Sequence, residues 1–170
     1  ENVSFSIKSG ESLAIMGKTG CGKTTIALLL CRLIDPTEGE ILVDGKNLKE
    51  HNLYLYRQHI GYVPQESYLF SDTIENNIGF AIDTPNIDTI IKYAKIADVD
   101  KNIIEFKDQY HTMVGERGVM LSGGQKQRIC IARALIKQPT ILIFDDSLSA
   151  LDSQTESNII NNINEEIKNK

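Results

Sequence analysis

The sequence predicts an α/β domain with a mostly parallel sheet and a helical lobe. Three observations carry that prediction. Short runs of β-branched residues alternate with stretches of helical spacing, and a glycine-rich loop stands between one such run and a helix. Ile141-Leu142-Ile143-Phe144 is apolar at every position, as in strands covered on both faces. The chain has 170 residues, 41% of them hydrophobic and 24% charged, the composition of one globular domain. A domain of this length buries roughly 70% of the surface its unfolded chain exposes and needs neither disulfides nor a structural metal to hold a core. The net charge of −5 provides no positive field for a nucleic-acid backbone, which argues against general nucleic-acid binding. Cys21, Cys31 and Cys130 form no close pair and have no histidine at metal spacing, so a reducing, cytosolic setting is expected. No run approaches 18 apolar residues and no basic-then-apolar segment opens the chain, so neither a transmembrane helix nor a secretion signal is expected in it. It opens on Glu1 and ends on a polar helix at Lys170, as a piece of a longer chain would.

In order along the chain, Val3, Phe5 and Ile7 alternate with polar residues, the period of a half-buried strand. Ser9-Gly10 supplies a turn, and residues 13–16 a second strand. Residues 17–22 form a loop with three glycines. From Thr24, the residues Ile26, Ala27, Leu29, Leu30 and Leu33 fall on one face of a helix that Asp35-Pro36 ends. Residues 40–43 read as a strand, and Asp44-Gly45 as a hairpin turn. A further strand spans residues 60–63 and is cut by Pro64. From about Thr73 to Lys137 helical spacing takes over, with Ile87, Ile90, Ile91 and Ala94 on one face and a loop over residues 111–120. The apolar strand at 141–144 ends in Asp145-Asp146. In a last helix over residues 153–168, Ile159, Ile160, Ile163 and Ile167 share one side, and Ser153 with Glu156 predicts a capping box. The expected organisation is a single domain over 1–170, with a core from 1–70 and 138–170 and a helical subdomain from 71–137.

The chemistry concentrates in a few segments. Gly17-Lys18-Thr19-Gly20-Cys21-Gly22-Lys23-Thr24 fits G-x-x-x-x-G-K-[ST] and lies between a predicted strand and a predicted helix, the context that gives the motif meaning. Its glycines let successive N–H groups turn inward toward phosphate oxygens, and the helix adds its positive dipole end. Lys23 is then placed for the β- and γ-phosphates, the Thr24 hydroxyl for Mg²⁺, and Thr25 for a phosphate nearer the base. Cys21 sits at a variable position of this loop and reads as a small tolerated side chain. Asp145, at the end of a buried strand, falls where parallel sheets collect ligands and suits a Mg²⁺ site. Ser122 with Gln125 is a capping box, but a cap does not require Gly123 and Gly124 between its partners. Each glycine weakens a first helical turn by about 1 kcal/mol against alanine, so the pair points to close approach of a ligand.

These segments, with Tyr62-Val63-Pro64-Gln65, Leu121 to Gln125, Ile141 to Asp145 and Ser149-Ala150-Leu151-Asp152, closely resemble in order the nucleotide-binding domain of ABC transporters. The matching segments look like the Walker A loop, Q-loop, signature motif, Walker B strand and D-loop, and the resemblance covers nearly the whole chain. It implies a P-loop NTPase with a RecA-like core, an antiparallel β-subdomain and a helical subdomain, using ATP and Mg²⁺. By that resemblance Gln65 reaches the metal and the attacking water and links the nucleotide to a transmembrane partner. Ser122, Gly123, Gly124, Gln125 and Asp152 would act in trans, across a head-to-tail dimer, on the ATP of a second domain, although Asp152 could equally cap the last helix. Thr112-Met113-Val114-Gly115-Glu116-Arg117-Gly118 is similar to an exporter segment that senses transmembrane coupling helices. Leu69-Phe70-Ser71 and Thr73 to Ile78 also look like exporters of the multidrug, lipid or peptide type. Met113 departs from the acidic residue common at its position. The implied setting is the cytoplasmic face of a membrane.

Two departures qualify the resemblance. The residue after the Walker B aspartate is usually a glutamate that polarises the attacking water, and here it is Asp146. A misplacement of about 1 Å in a reacting group costs about 100-fold, or roughly 2.7 kcal/mol of barrier, so slow hydrolysis with intact binding is expected. That pattern resembles the degenerate-site subunit of heterodimeric multidrug exporters. The family's switch histidine and its adenine-stacking aromatic residue are expected outside residues 1–170, which predicts weak nucleotide binding and little turnover from this stretch alone. A nucleotide-gated dimerisation module that binds ATP without turnover is the alternative reading. Relatives in DNA repair or chromosome structure carry a long coiled coil between the Walker A loop and the signature, and the stretch from Lys23 to Ser122 is too short for one.

Overall fold

The computed structural model describes residues 3–115 and 118–168. Its first regular element is helix α1, Lys23–Leu30. The two strands expected before it are not formed: residues 3–16 have no ladder partner among the described residues. Their apolar side chains are open to solvent, Phe5 at 46%, Leu13 at 47% and Met16 at 91% exposure. Alternation reports which face of a segment is apolar, but a strand exists only where a neighbour takes its N–H and C=O groups. The turn between them does form, with Gly10 at φ 81° and the Glu11 N–H donating to Lys8 O at 3.0 Å.

Helix α1 ends earlier than the apolar pattern suggests. Arg32 takes a left-handed φ of 50°, and the Leu33 N–H closes back on Leu28 O at 2.9 Å. The next α-helix, α2 (Leu53–Gln58), supplies partners for the carbonyls left over. The Tyr56 hydroxyl donates to Leu30 O at 2.7 Å, Arg57 Nε to Cys31 O at 3.2 Å and Arg57 Nη2 to Arg32 O at 2.8 Å. Between α1 and α2, strands β1 (Leu42–Val43) and β2 (Lys46–Asn47) form an antiparallel hairpin. It turns through Asp44-Gly45 at φ 52° and 76°, as that dipeptide predicts.

Strand β3 (Ile60–Val63) pairs in parallel with β4 (Ile141–Phe144), which sets Tyr62 beside Ile143 and Val63 beside Phe144. The resulting ribbon is covered on both faces. Ile60, Tyr62, Ile141 and Ile143 pack with Cys31, Leu48 and Tyr56, whereas Val63, Leu142 and Phe144 join the larger helical core. β4 is half-buried throughout rather than fully buried as its apolar run predicts, because the parallel ribbon has two strands and leaves it an open edge among the described residues.

The helical part follows as α3 (Ile74–Gly79), α4 (Ile87–Ile96), α5 (Asp100–Ile104) and α6 (Gly123–Leu135). Ile74, Ile78, Ile90, Tyr93, Ala94 and Ile129 are at most 4% exposed and form its centre. Helix α7 (Ser153–Lys168) lays Ile159 and Ile163 against that core. Its cap is Asp152 rather than the expected Ser153–Glu156 box: Asp152 Oδ1 accepts from the Thr155 N–H at 2.9 Å and Oδ2 from the Thr155 hydroxyl at 2.7 Å. The architecture is the expected α/β one with helices dominating and sheets small. No helix among the described residues is long and apolar enough to cross a membrane.

Candidate functional site

The start of α1 meets the carboxyl ends of β3 and β4 at one carboxylate. Asp145 is 7% exposed, and its N–H donates to Val63 O at 3.0 Å, carrying the ladder one step past β4. Its Oδ1 accepts from the Thr24 hydroxyl at 3.0 Å and its Oδ2 from the Tyr62 hydroxyl at 3.1 Å. Burial and the neighbouring Asp145 carboxylate push the Tyr62 phenol up to about 12, so it stays a protonated donor. Asp145 forms no ion pair among the described residues. A buried carboxylate whose side-chain hydrogen bonds come from neutral hydroxyls has no ion-pair partner to balance it. Hard oxygen donors of this kind are the ligand type that a divalent cation such as Mg²⁺ takes, so the donor set fits that ion. No cluster of three or more His, Cys, Asp or Glu exists among the described residues to offer a protein-only cage.

The loop before α1 shows the complementary feature. Gly20 and Gly22 stand at φ 80° and 102°, which lets the chain curl. The Cys21 N–H donates to Lys18 O at 3.2 Å, and a Cβ added at Gly17 would meet Cys21 Sγ at 2.6 Å. Lys23 Nζ reaches back to Gly17 O at 2.8 Å and Lys18 O at 3.2 Å, and it has no carboxylate partner among the described residues. Lys18, Thr19 and Thr25 are exposed. α1 has no side-chain cap on its first N–H groups, and neither does α5, whereas α2, α3, α4 and α6 are capped by Asn52, Thr73, Asn86 and Ser122. Unclaimed N–H groups at a helix start, with an ammonium beside them, are the features with which helix starts receive anions.

Asp146 follows at a left-handed φ of 52°, and its Oδ2 accepts from Gln65 Nε2 at 3.3 Å. The two residues singled out for water chemistry are therefore in contact. Ser122 and Gln125 form both halves of the capping box, at 3.2 and 2.9 Å. A Cβ at Gly123 would meet nothing within 4 Å and one at Gly124 would meet Leu151 Cδ2 at 3.5 Å, so internal packing does not demand either glycine. Ser122, Gly123, Gly124, Gln125 and Asp152 share no hydrogen bond with residues 17–25 among the described residues. Asp152 caps α7, and the Thr155 hydrogen bonds hold its carboxyl below the usual range. Residues 112–115 lie along residues 71–73: the Val114 N–H donates to Asp72 O at 3.0 Å, and Gly115, at φ 100°, faces Ser71. Glu116 and Arg117 lie outside the described residues.

The sequence profile described as ABC transporter matches residues 1–149. The chain belongs to the ABC transporter family. It is 49% identical over 159 residues to the uncharacterized ABC transporter ATP-binding protein YfiB of Bacillus subtilis, covering 94% of this chain and 28% of that protein. It is 42% identical to the mitochondrial iron-sulfur clusters transporter atm1 of Neurospora crassa, covering 98% and 23%. Among solved structures, a bacterial Atm1-family ABC exporter with ATP bound superposes with a TM-score of 0.81 at 45% identity, covering 86% of this chain and 26% of that one. The chain spans about a quarter of the length of these relatives.

This ABC transporter chain also holds polar residues that sequence reasoning did not single out. Gln127, 2% exposed on α6, accepts from the Ser67 hydroxyl and donates through Nε2 to Pro64 O at 3.4 Å, so it ties both flanks of Gln65 to the helix that begins at Gly123. Arg133, also on α6, donates to Asn77 O at 2.7 Å, Asn77 Oδ1 at 2.8 Å and Tyr68 O at 2.9 Å. A signal for Gln127 was available: it falls on the same face as Ile131 and Ala134, a polar residue in an apolar stripe. The role of Tyr62 required the strand pairing.

Proposed function

We propose that this chain is the nucleotide-binding domain of an ABC exporter, binding and hydrolysing ATP to drive a substrate across a membrane. The observation that carries the reading is a pair of uncompensated charges at one end of the fold. The Lys23 ammonium is held by carbonyls and the Asp145 carboxylate by hydroxyls, where phosphates and a divalent cation would each find their opposite charge. Gly17, Lys18, Thr19, Gly20, Cys21, Gly22, Lys23, Thr24 and Thr25 cradle the phosphates. Thr24, Asp145 and Gln65 hold Mg²⁺, which when bound neutralises phosphate charge. Asp146 orients the attacking water, with Gln65 beside it. The likeness to an ATP-bound Atm1-family exporter supports this assignment.

The finer features rest on the same footing. Ser122, Gly123, Gly124, Gln125 and Asp152 complete the ATP site of a second nucleotide-binding domain in a head-to-tail dimer; the open space over Gly123 supports that approach. A transmembrane domain docks through the Gln65 loop and residues 112–118, a reading supported by the contact between residues 112–115 and 71–73. Residues 1–70 and 138–170 form the core and 71–137 the helical subdomain, and the domain works at the cytoplasmic face of the membrane. Asp146, one methylene shorter than glutamate, makes this the slower half of a heterodimer. The test is Mg-ATPase activity of the full protein, alone and with a candidate partner, in wild type and Asp146→Glu. Recovery of turnover by glutamate supports the slow-site reading. Equal turnover in both makes Asp146 competent and favours a homodimer. No turnover in either, with ATP still bound, favours a nucleotide-gated module.

A further inference from the structure

We propose that Tyr62 is a positioning residue for the cation site, its hydroxyl fixing the Asp145 carboxylate in the orientation that receives the metal. The proposal rests on the reading of Lys23, Thr24 and Asp145 as a Mg-ATP site. In the parallel register Tyr62 lies beside Ile143. Side chains alternate along strands, so Tyr62, Ile143 and Asp145 emerge on the same face. The phenol ring packs in the cluster of Cys31, Leu48, Tyr56 and Ile60, which fixes the ring and aims the hydroxyl toward the end of β4. There it donates to Asp145 Oδ2 at 3.1 Å while Thr24 donates to Oδ1 at 3.0 Å.

One donor would leave the carboxylate free to turn about its terminal bond, a torsion with a broad, two-fold profile. Two donors on opposite oxygens, one from α1 and one from β3, remove that freedom. Each carboxylate oxygen has two lone-pair sites, so accepting one hydroxyl still leaves capacity for a cation. A tyrosine also contributes no positive charge; lysine or arginine in its place would neutralise Asp145 and compete with the metal. Tyr62 thus orients the carboxylate without satisfying its charge.

The test uses the full protein carrying Tyr62→Phe, which keeps the ring and removes only the hydroxyl. Mn²⁺ serves as a paramagnetic probe, titrated by electron spin resonance in the presence of a non-hydrolysable ATP analogue. Affinity for the same analogue is measured separately in EDTA. The expected result is Mn²⁺ affinity weakened about tenfold, the size of one hydrogen bond to a charged group, with metal-free nucleotide affinity within about twofold of wild type. Unchanged Mn²⁺ affinity overturns the proposal. So does a parallel loss in EDTA, which marks Tyr62 as a general structural residue. Asp145→Asn separates the two levels of the argument. If it weakens Mn²⁺ binding and Tyr62→Phe does not, only the role of Tyr62 fails; if Asp145→Asn has no effect, the Mg-ATP reading fails and takes the proposal with it.

Discussion

Arg133→Met is expected to destabilise the domain by about 2–3 kcal/mol, although Arg133 belongs to no sequence motif. The side chain runs from α6 to the end of α3 and to the loop after Gln65. There it donates to Asn77 O, Asn77 Oδ1 and Tyr68 O, with the guanidinium carbon 5.3 Å from the centre of the Phe70 ring. Methionine retains an apolar stem of similar reach, so the packing loss is small. The three acceptors do not fare equally. Asn77 Oδ1 keeps the Phe70 N–H at 2.9 Å and Tyr68 O keeps the Cys130 thiol at 3.5 Å, but Asn77 O, in the last turn of α3, loses its partner. One orphaned buried acceptor costs about 1–3 kcal/mol, and the lost cation–π contact about 0.5–1 kcal/mol at this partly buried site. For a domain of this size that lowers Tm by about 5–10 °C, readable by thermal unfolding of purified wild type and variant. Arg133→Lys, which keeps one donor, should fall between them. A Tm for Arg133→Met within about 1 °C of wild type would refute the idea that this guanidinium clamps α6 to α3.

Two substitutions separate the roles of the other segments. Ser122→Ala removes the capping hydroxyl of α6, at a cost of about 1 kcal/mol in stability, and should lower turnover at the partner's site while the chain's own ATP affinity holds; unaltered turnover in the assembled transporter removes the trans assignment. Asp146→Glu should raise steady-state Mg-ATPase at this chain's own site by about 100-fold, the effect of restoring about 1 Å of reach, and phosphate release equal to wild type would make Asp146 a competent catalytic residue.

Much of the fold was legible because local chemistry and final structure agree. Asp44-Gly45 demanded a hairpin, Ile141–Phe144 a strand, and Ser122 with Gln125 a capped helix, and each is present, the strand half-buried rather than buried. The failures share a cause. Residues 3–7 and 13–16 have the period of strands, but pairing is a tertiary property that periodicity does not report. Leu33 continues the apolar stripe of α1, yet the chain turns left-handed at Arg32, whose guanidinium donates to Leu48 O and His51 O, each at 3.3 Å. Asp152 outcompetes Ser153 as the cap of α7 because it offers two oxygens to Thr155 at once. At the candidate site, Lys23, Thr24 and Asp145 could be named from spacing alone. Tyr62, Gln127 and Arg133 could not, since each acts on a residue distant in sequence and reached only through the register of β3 with β4 or the packing of α6.

The most direct test is equilibrium binding of ATP with Mg²⁺ to the full protein, wild type against Lys23→Ala. Binding is the right readout because it does not depend on how well Asp146 performs. If the loop at residues 17–24 is the phosphate site, wild type binds saturably, and loss of the ammonium weakens affinity about 10–100-fold, the scale of a charge-assisted contact to phosphate. Absence of saturable binding in wild type, or equal affinity in the variant, would contradict the account.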